Sequence, residues 1–222
     1  MEFQLNKNSF IIFDLDDTLY PEVHYLKSAY KEIAALLTKS EPDKLERSMF
    51  NDYLLGKDVF SILVSSYPQS IYNKSDLIKI YRSHIPEIRL VENADLFIEF
   101  LRKNNIPLGI ITDGRSITQR NKIQSLGLTD MLKEVVISEE FGTEKPNENN
   151  FKYFEKKFPD KQFTYIADNT KKDFVIPGKL GWQMVCVLNN GRNVHSQDLS
   201  MLPINTILIN DFKELIGNMN EK

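Results

Sequence analysis

The sequence predicts an α/β fold, a doubly wound parallel sheet with an α-helical bundle inserted into it. Three observations carry that prediction. Short, continuously apolar runs recur along the chain, helical patterns separate them, and the stretch from about residue 20 to 91 is helical throughout. Continuous apolar character, as opposed to strict alternation, marks strands covered on both faces, as in a parallel sheet. Strands that alternate with helices imply right-handed crossovers.

FIIF (10–13) is the first strand. The insert follows, with VHYLKSAYKEIAALL, EPDKLERSMFNDYLLG, DVFSILVSSY and SDLIKIYRSHIP each carrying apolar residues at three and four spacing, and Gly56 and Pro86 as stops. No repeat or low-complexity linker flanks it, so it is expected to pack on the core, not to swing on a tether. The core is assigned to residues 1–19 and 92–222 and the cap to residues 20–91. NADLFIEFLRKNN supplies the next helix and PLGII (107–111) the second strand. SITQRNKIQSLGL places Ile117, Ile123 and Leu126 near one face and stops at Gly127. EVVI (134–137) is a third strand, and the helix after Pro146 sets Phe151, Phe154 and Phe158 at helical spacing. FTYIA (163–167) and MVCVL (184–188) continue the alternation, and TILI (206–209) with DFKELIGNM adds an edge strand and a closing helix. The whole is a Rossmann-like core.

The 222 residues are 41% hydrophobic and 27% charged, enough to bury a sizeable core. A formal charge of -3 and a pI near 5.7 leave no basic surplus for a phosphate backbone, which argues against a dedicated nucleic-acid binder. Cys186 is the single cysteine; its setting in WQMVCVL is that of a small hydrophobe in a buried strand. The first residues lack a charged segment followed by a long apolar one, and no run approaches the ~18 apolar residues of a membrane span. A cytoplasmic location, with no membrane or nucleic-acid partner, is expected.

Each strand runs into a polar cluster: DLDDT, TDG, SEEFGTEKP and DNTKKD. In open α/β sheets ligands bind beyond the carboxyl ends of the strands, so these clusters can converge. Asp14 and Asp16 point to one side if the extended conformation persists, with Asp17 turned away. Two carboxylates that close stay ionised only beside a cation, or else one holds a proton. A hard cation such as Mg2+ accepts oxygen ligands from few residues, and Asp168 and Asp173 could complete its cage. A turn or N-cap cluster would also favour Asp and Thr here, TDG alone reads as a plain turn, and a lone Lys145 as a solvated one. Their order along the chain reverses those preferences.

With DLDDTLY, TDG, EKPN and ADNTKKD in that order, the chain resembles the haloacid dehalogenase superfamily over nearly its whole length, specifically the phosphatase branch with an α-helical cap after the first motif. The TDGRSITQRNKIQSLGL stretch is similar to sugar-phosphate phosphatases of the N-acylneuraminate-9-phosphatase type. The resemblance implies a Mg2+-dependent phosphatase acting on a small phosphorylated metabolite, a sugar phosphate or a nucleotide, through an aspartyl-phosphate. Asp14 would be the nucleophile and a metal ligand. Asp16 would be the general acid and then base, with a raised pKa and its backbone carbonyl on the metal. Lys145 would neutralise charge, Thr112 with Asp113 and Gly114 would hold the phosphate, and Asp168 and Asp173 would complete the metal site. Ala167 stands where the family more often has Gly, a small departure. Asp16 argues against a haloalkanoate dehalogenase, which has no leaving oxygen to protonate. A phosphosugar mutase or phosphotransferase of the same superfamily, and a non-catalytic phosphometabolite-binding protein, are the alternatives. In the cap, Tyr20, His24, Lys57, Arg82, His84 and Arg89 are the residues to watch for specificity. A monomer or homodimer is expected.

Overall fold

In the computed structural model, which describes residues 2–189, 191, 193 and 196–217, the chain enters through strand β1 (Ser9–Phe13). Four helices follow: α1 (Glu22–Leu37), α2 (Pro42–Leu54), α3 (Val59–Ser66) and α4 (Lys74–Ser83). Then come α5 (Ala94–Lys103), β2 (Leu108–Thr112), α6 (Ser116–Ser125), β3 (Leu132–Ile137), the short α7 (Ser138–Phe141) and α8 (Glu148–Lys157). The chain closes with β4 (Gln162–Ala167), α9 (Val175–Lys179), β5 (Gln183–Val187), β6 (Ile207–Ile209) and α10 (Lys213–Gly217).

All the strand pairs are parallel, in the order β3-β2-β1-β4-β5-β6. The chain therefore winds one way from β1 through β3 and the other way from β4 through β6, which makes the β1/β4 boundary the switch point. Every residue of β1 and β2 is buried, as their unbroken apolar runs predict. One face of the sheet packs Phe13, Phe97, Ile110, Leu101 and Phe212 beneath α5 and α10; the other packs Phe10, Phe151, Phe154, Tyr165 and Trp182 beneath α8. Gly109 is required in β2, because a Cβ there would lie 2.8 Å from the ring of Phe154.

The helices between β1 and α5 have a cluster of their own, built on Leu26, Tyr30, Ile33, Met49, Leu63 and Leu77. The two chain crossings below it are tied together, with Val91 N–H donating to the Leu19 carbonyl at 2.9 Å. Gly56 takes the left-handed conformation, φ 68°, just past α2, the stop its position predicts. Two local expectations fail. Phe158 falls just outside α8 as its C-terminal cap. In α6 the buried residues are Thr118, Gln119, Asn121, Lys122 and Ile123, whereas Ile117 is exposed. Among the described residues, no helix is long and apolar enough to cross a membrane.

Candidate active site

β1 and β4 lie side by side, and the first residue past each is an aspartate. Asp14 N–H continues the ladder by donating to the Ile166 carbonyl at 2.9 Å, which places its side chain beside the end of β4, where Asp168 follows Ala167. Asp173, fully buried, returns to the same spot one turn later, its Oδ2 accepting from Asn169 N–H at 3.2 Å. One carboxylate oxygen from each of Asp14, Asp168 and Asp173 lies within 4.8 Å of the others. Lys145, buried after β3 and α7, supplies the nearest positive charge: its Nζ is 2.8 Å from Asp14 Oδ1 and 2.7 Å from Asp173 Oδ1. Tyr165 in β4 accepts a hydrogen bond from the same ammonium at 3.1 Å.

Burial pushes the Asp14 carboxyl up to about 7; Lys145 opposes the rise and Asp173 and Asp16 reinforce it. Burial, with the charges of Asp14, Asp173 and Asp17, lifts Asp168 to about 8, although Asn193 donates to its Oδ2 at 2.9 Å. Lys145 moves the other way: burial would lower it, but Asp14 and Asp173 hold it well above the usual lysine value.

Asp16 departs from expectation. Its side chain leaves the carboxylate cluster for α6 and the insert, where Lys122 Nζ donates to Oδ1 at 2.7 Å, Gln119 Nε2 to Oδ2 at 2.9 Å, and the Tyr20 hydroxyl to Oδ1. Burial alone would raise its pKa, but Lys122 and these hydrogen bonds hold it below the ordinary carboxylate value, not above it.

Thr112, at the end of β2, is buried and its Oγ1 accepts from Gln119 Nε2 at 2.6 Å, which leaves its own hydroxyl hydrogen to donate. Asp113 is held from two sides, by Lys145 N–H at 3.0 Å and by Lys172 Nζ at 2.7 Å. Gly114, expected to lend its N–H to a phosphate, gives it to Ser138 Oγ at 2.9 Å instead. Its need for glycine is steric: φ is 137°, and a Cβ would press on Gln119 at 3.2 Å. A cavity of about 130 Å3 gathers Asp14, Asp16, Thr112, Asp113, Lys145 and Asp168, together with Asp17, Glu22, Asn169 and Lys172. Asp17, expected to turn away, also borders this cavity, while its Oδ1 accepts from Glu22 N–H at 2.8 Å and so anchors the start of α1.

A family model described as haloacid dehalogenase-like hydrolase matches residues 11–187, a span that begins in β1 and ends with β5. The chain belongs to that family. A glyceraldehyde 3-phosphate phosphatase of Methanocaldococcus jannaschii is 25% identical over 95% of this chain and 98% of its own. The pyrimidine 5'-nucleotidase YjjG of Escherichia coli is 33% identical, but over 39% of this chain and 40% of its own. Among solved structures, YfnB of Bacillus subtilis, bound to magnesium, superposes with a TM-score of 0.63 at 20% identity, covering 97% of this chain and all of the other, 100%. That likeness is one of fold.

For a haloacid dehalogenase-like hydrolase, the side chains that sequence reasoning missed are informative. Lys122 reads in SITQRNKIQS as an ordinary exposed helix lysine, yet its side chain is 4% exposed. Tyr165 reads as a core strand residue, which its ring is, against Phe151; only its hydroxyl reaches the site. Glu22 is the insert's contribution to the cavity wall, lifted to about 7 by burial and by Asp16, with Lys122 opposing. None of the basic residues singled out in the insert lines this cavity. Tyr20 and His84 are buried behind it, Lys57 pairs with Asp52 at 2.7 Å, and His24, Arg82 and Arg89 are exposed.

Proposed function

We propose that this hydrolase is a Mg2+-dependent phosphatase acting on a small sugar phosphate or related phosphorylated metabolite through an aspartyl-phosphate on Asp14, with residues 20–91 as its cap. The observation that carries this reading is the meeting of Asp14, Asp168 and Asp173 with Lys145 at the β1/β4 switch point. Carboxylates outnumber ammonium groups around the cavity, and three of them, Asp14, Glu22 and Asp168, are driven up toward neutrality. An all-oxygen donor set short of positive charge suits a hard divalent cation. Asp14, Asp168 and Asp173 would hold Mg2+ through carboxylates and Asp16 through its carbonyl. The ion would neutralise part of the phosphoryl charge.

The remaining chemistry belongs to the chain. A carboxylate attacks a phosphate dianion only where like-charge repulsion is offset, and Lys145 does this at Asp14. Asp14 forms a bond to phosphorus while the ester P–O bond breaks, and the departing oxygen takes a proton from Asp16. Asp16, held low by Lys122 in the free protein, takes up that proton from solvent as the phosphoryl group binds, because the added negative charge opposes the pull of Lys122. Asp16 then removes a proton from water, which attacks the aspartyl-phosphate and releases phosphate. Thr112 donates to the phosphoryl oxygens through the hydrogen that Gln119 leaves free.

Substrate size follows from the cavity. Its volume of about 130 Å3 is well below the ~300 Å3 at which pockets for drug-sized ligands begin. Among the described residues no aromatic ring lines it as a platform for a base, and the relative matched over nearly full length is named for a three-carbon phosphate. These favour sugar phosphates over nucleotides. Phosphate release from glyceraldehyde 3-phosphate, measured with Mg2+ and with excess EDTA, tests the reading. Turnover is expected only with Mg2+ and not in Asp14→Asn; equal rates under both conditions would reject it.

A further inference from the structure

Helix α6 lacks an apolar face. It buries Thr118, Gln119, Asn121 and Lys122 together with Ile123. Burying hydroxyl, amide and ammonium groups is costly unless each finds a partner, and here the partners fall into two sets. Residues 118 and 121, one turn apart, grip the insert: Thr118 Oγ1 donates to the Arg82 carbonyl at 2.8 Å, and Asn121 Nδ2 to those of Ser83 at 2.9 Å and His84 at 3.1 Å. Residues 119 and 122, on the adjoining ridge, grip Asp16. Gln119 takes one carboxylate oxygen and Lys122 the other. The Lys122 ammonium is further enclosed by aromatic faces, 4.4 Å from the ring centroid of Tyr25 in α1 and 5.8 Å from that of Tyr20.

Two donors from one rigid helix on the two oxygens of one carboxylate fix both its position and its plane. A lysine needed only for neutralisation would not require a second donor in register with it. We infer that Lys122, together with Gln119, is a positioning residue that aims the Asp16 carboxyl at the oxygen of the leaving group. This rests on the assignment of Asp16 as the acid of the proposed phosphatase reaction. Proton transfer demands hydrogen-bond reach and alignment, so an Asp16 released from α6 loses acid catalysis while the Asp14 nucleophile and Lys145 stay in place.

The role is read out by the leaving group. An alkoxide needs the proton from Asp16 as the P–O bond breaks, whereas 4-nitrophenolate departs without it. Rates with Mg2+ are measured on glycerol 3-phosphate and 4-nitrophenyl phosphate for the native protein, Lys122→Met and Lys122→Gln, with thermal melts of each. In Lys122→Met, kcat on the alkyl ester is expected to fall about 100-fold, and on the aryl ester less than about tenfold, with KM little changed. Lys122→Gln, which restores a neutral donor, is expected to fall between. Equal losses on both esters in a variant that melts cooperatively would overturn the inference. Should Lys122→Met not fold, the ester ratio of Lys122→Gln decides in the same way. A native protein that releases phosphate from neither ester would instead overturn the phosphatase reading itself.

Discussion

The strand ends of the core and the helices of the insert bury opposite kinds of side chain. At the strand ends, the buried groups are charged and paired: Lys145 with Asp14 and Asp173, Lys122 with Asp16. In the insert the buried groups are apolar apart from His84, and the ion pairs, Lys31 with Glu87, Lys74 with Asp58, Lys57 with Asp52, lie toward the outside. Exposed pairs contribute roughly 0–1 kcal/mol, whereas breaking one partner of a buried pair is strongly destabilising unless the partner's charge is relieved. The first region therefore holds chemistry at a cost in stability, and the second holds stability with little chemistry. Substitutions in the two should be read on different instruments.

The sharpest break in that comparison comes from Asp14→Asn. In the proposed reaction it would remove the attacking oxygen, and kcat on any phosphate ester is expected to drop by at least about 10^4-fold. Its stability should hold or rise, because the Asp14 charge crowds Asp168 and Asp173. Parallel measurement of rate and thermal midpoint checks both halves. A variant that loses activity only because it melts would contradict the separation of roles.

Leu63→Ala tests the opposite corner. Leu63 is buried in the insert's cluster, and truncation leaves a cavity expected to lower stability by about 2–5 kcal/mol. Well below the melting temperature, kcat should change by no more than a few-fold, since no catalytic side chain touches this cluster. Chemical denaturation with activity assayed in the absence of denaturant would show it; a loss of rate without a loss of stability would mean that the insert's interior is coupled to the chemistry.

Much of this was legible in the chain. β1 and β4 were read from unbroken apolar runs, and because parallel strands end on one side of a sheet, the acids following those runs had to meet. Asp14, Asp168 and Asp173 follow from that logic, whereas Lys145 rests on the motif order and the family resemblance. What stayed hidden was whatever depends on one body covering another. Lys122, Gln119 and Asn121 look solvated because a single sequence equates burial with apolar character, and α6 is buried by an insert whose docking no periodicity encodes. The same blindness assigned Ile117 to the inner face. Gly114 differs for another reason: the N–H expected to meet a phosphate is taken by Ser138, which lies on another strand's exit.

A smaller effect is expected from pH and metal together. Asp14 and Asp168 titrate in the fold near 7 and 8, above the ordinary value of 3.8. Between those values the folded metal-free protein binds more protons than the unfolded chain, so its stability falls as pH rises from about 4 toward 8. Mg2+ would bind the ionised carboxylates in the proposed site, so its stabilisation should be greater at pH 8 than at pH 6, with a rise of roughly 5 °C in thermal midpoint under saturating ion at the higher pH. Melts at both values, with and without Mg2+, report it. An ion effect that is the same at both would place Mg2+ away from these two acids.

The smallest effect belongs to the residues that looked most like substrate contacts. Lys57 is spent on Asp52, and Arg89 is exposed, neither bordering the cavity. Lys57→Ala and Arg89→Ala are each expected to change kcat/KM by less than about twofold, as substitutions of screened surface charges do. Glu22 is the contrast within the same insert, because its carboxylate faces the cavity with no hydrogen-bond donor to it among the described residues. Glu22→Gln removes a like charge from the path of a phosphate and is expected to tighten inhibition by inorganic phosphate about fivefold. Measuring phosphate inhibition constants for all three variants ranks them. If Lys57 or Arg89 moved the constant more than Glu22, the insert would engage its ligand through a face turned away from this cavity.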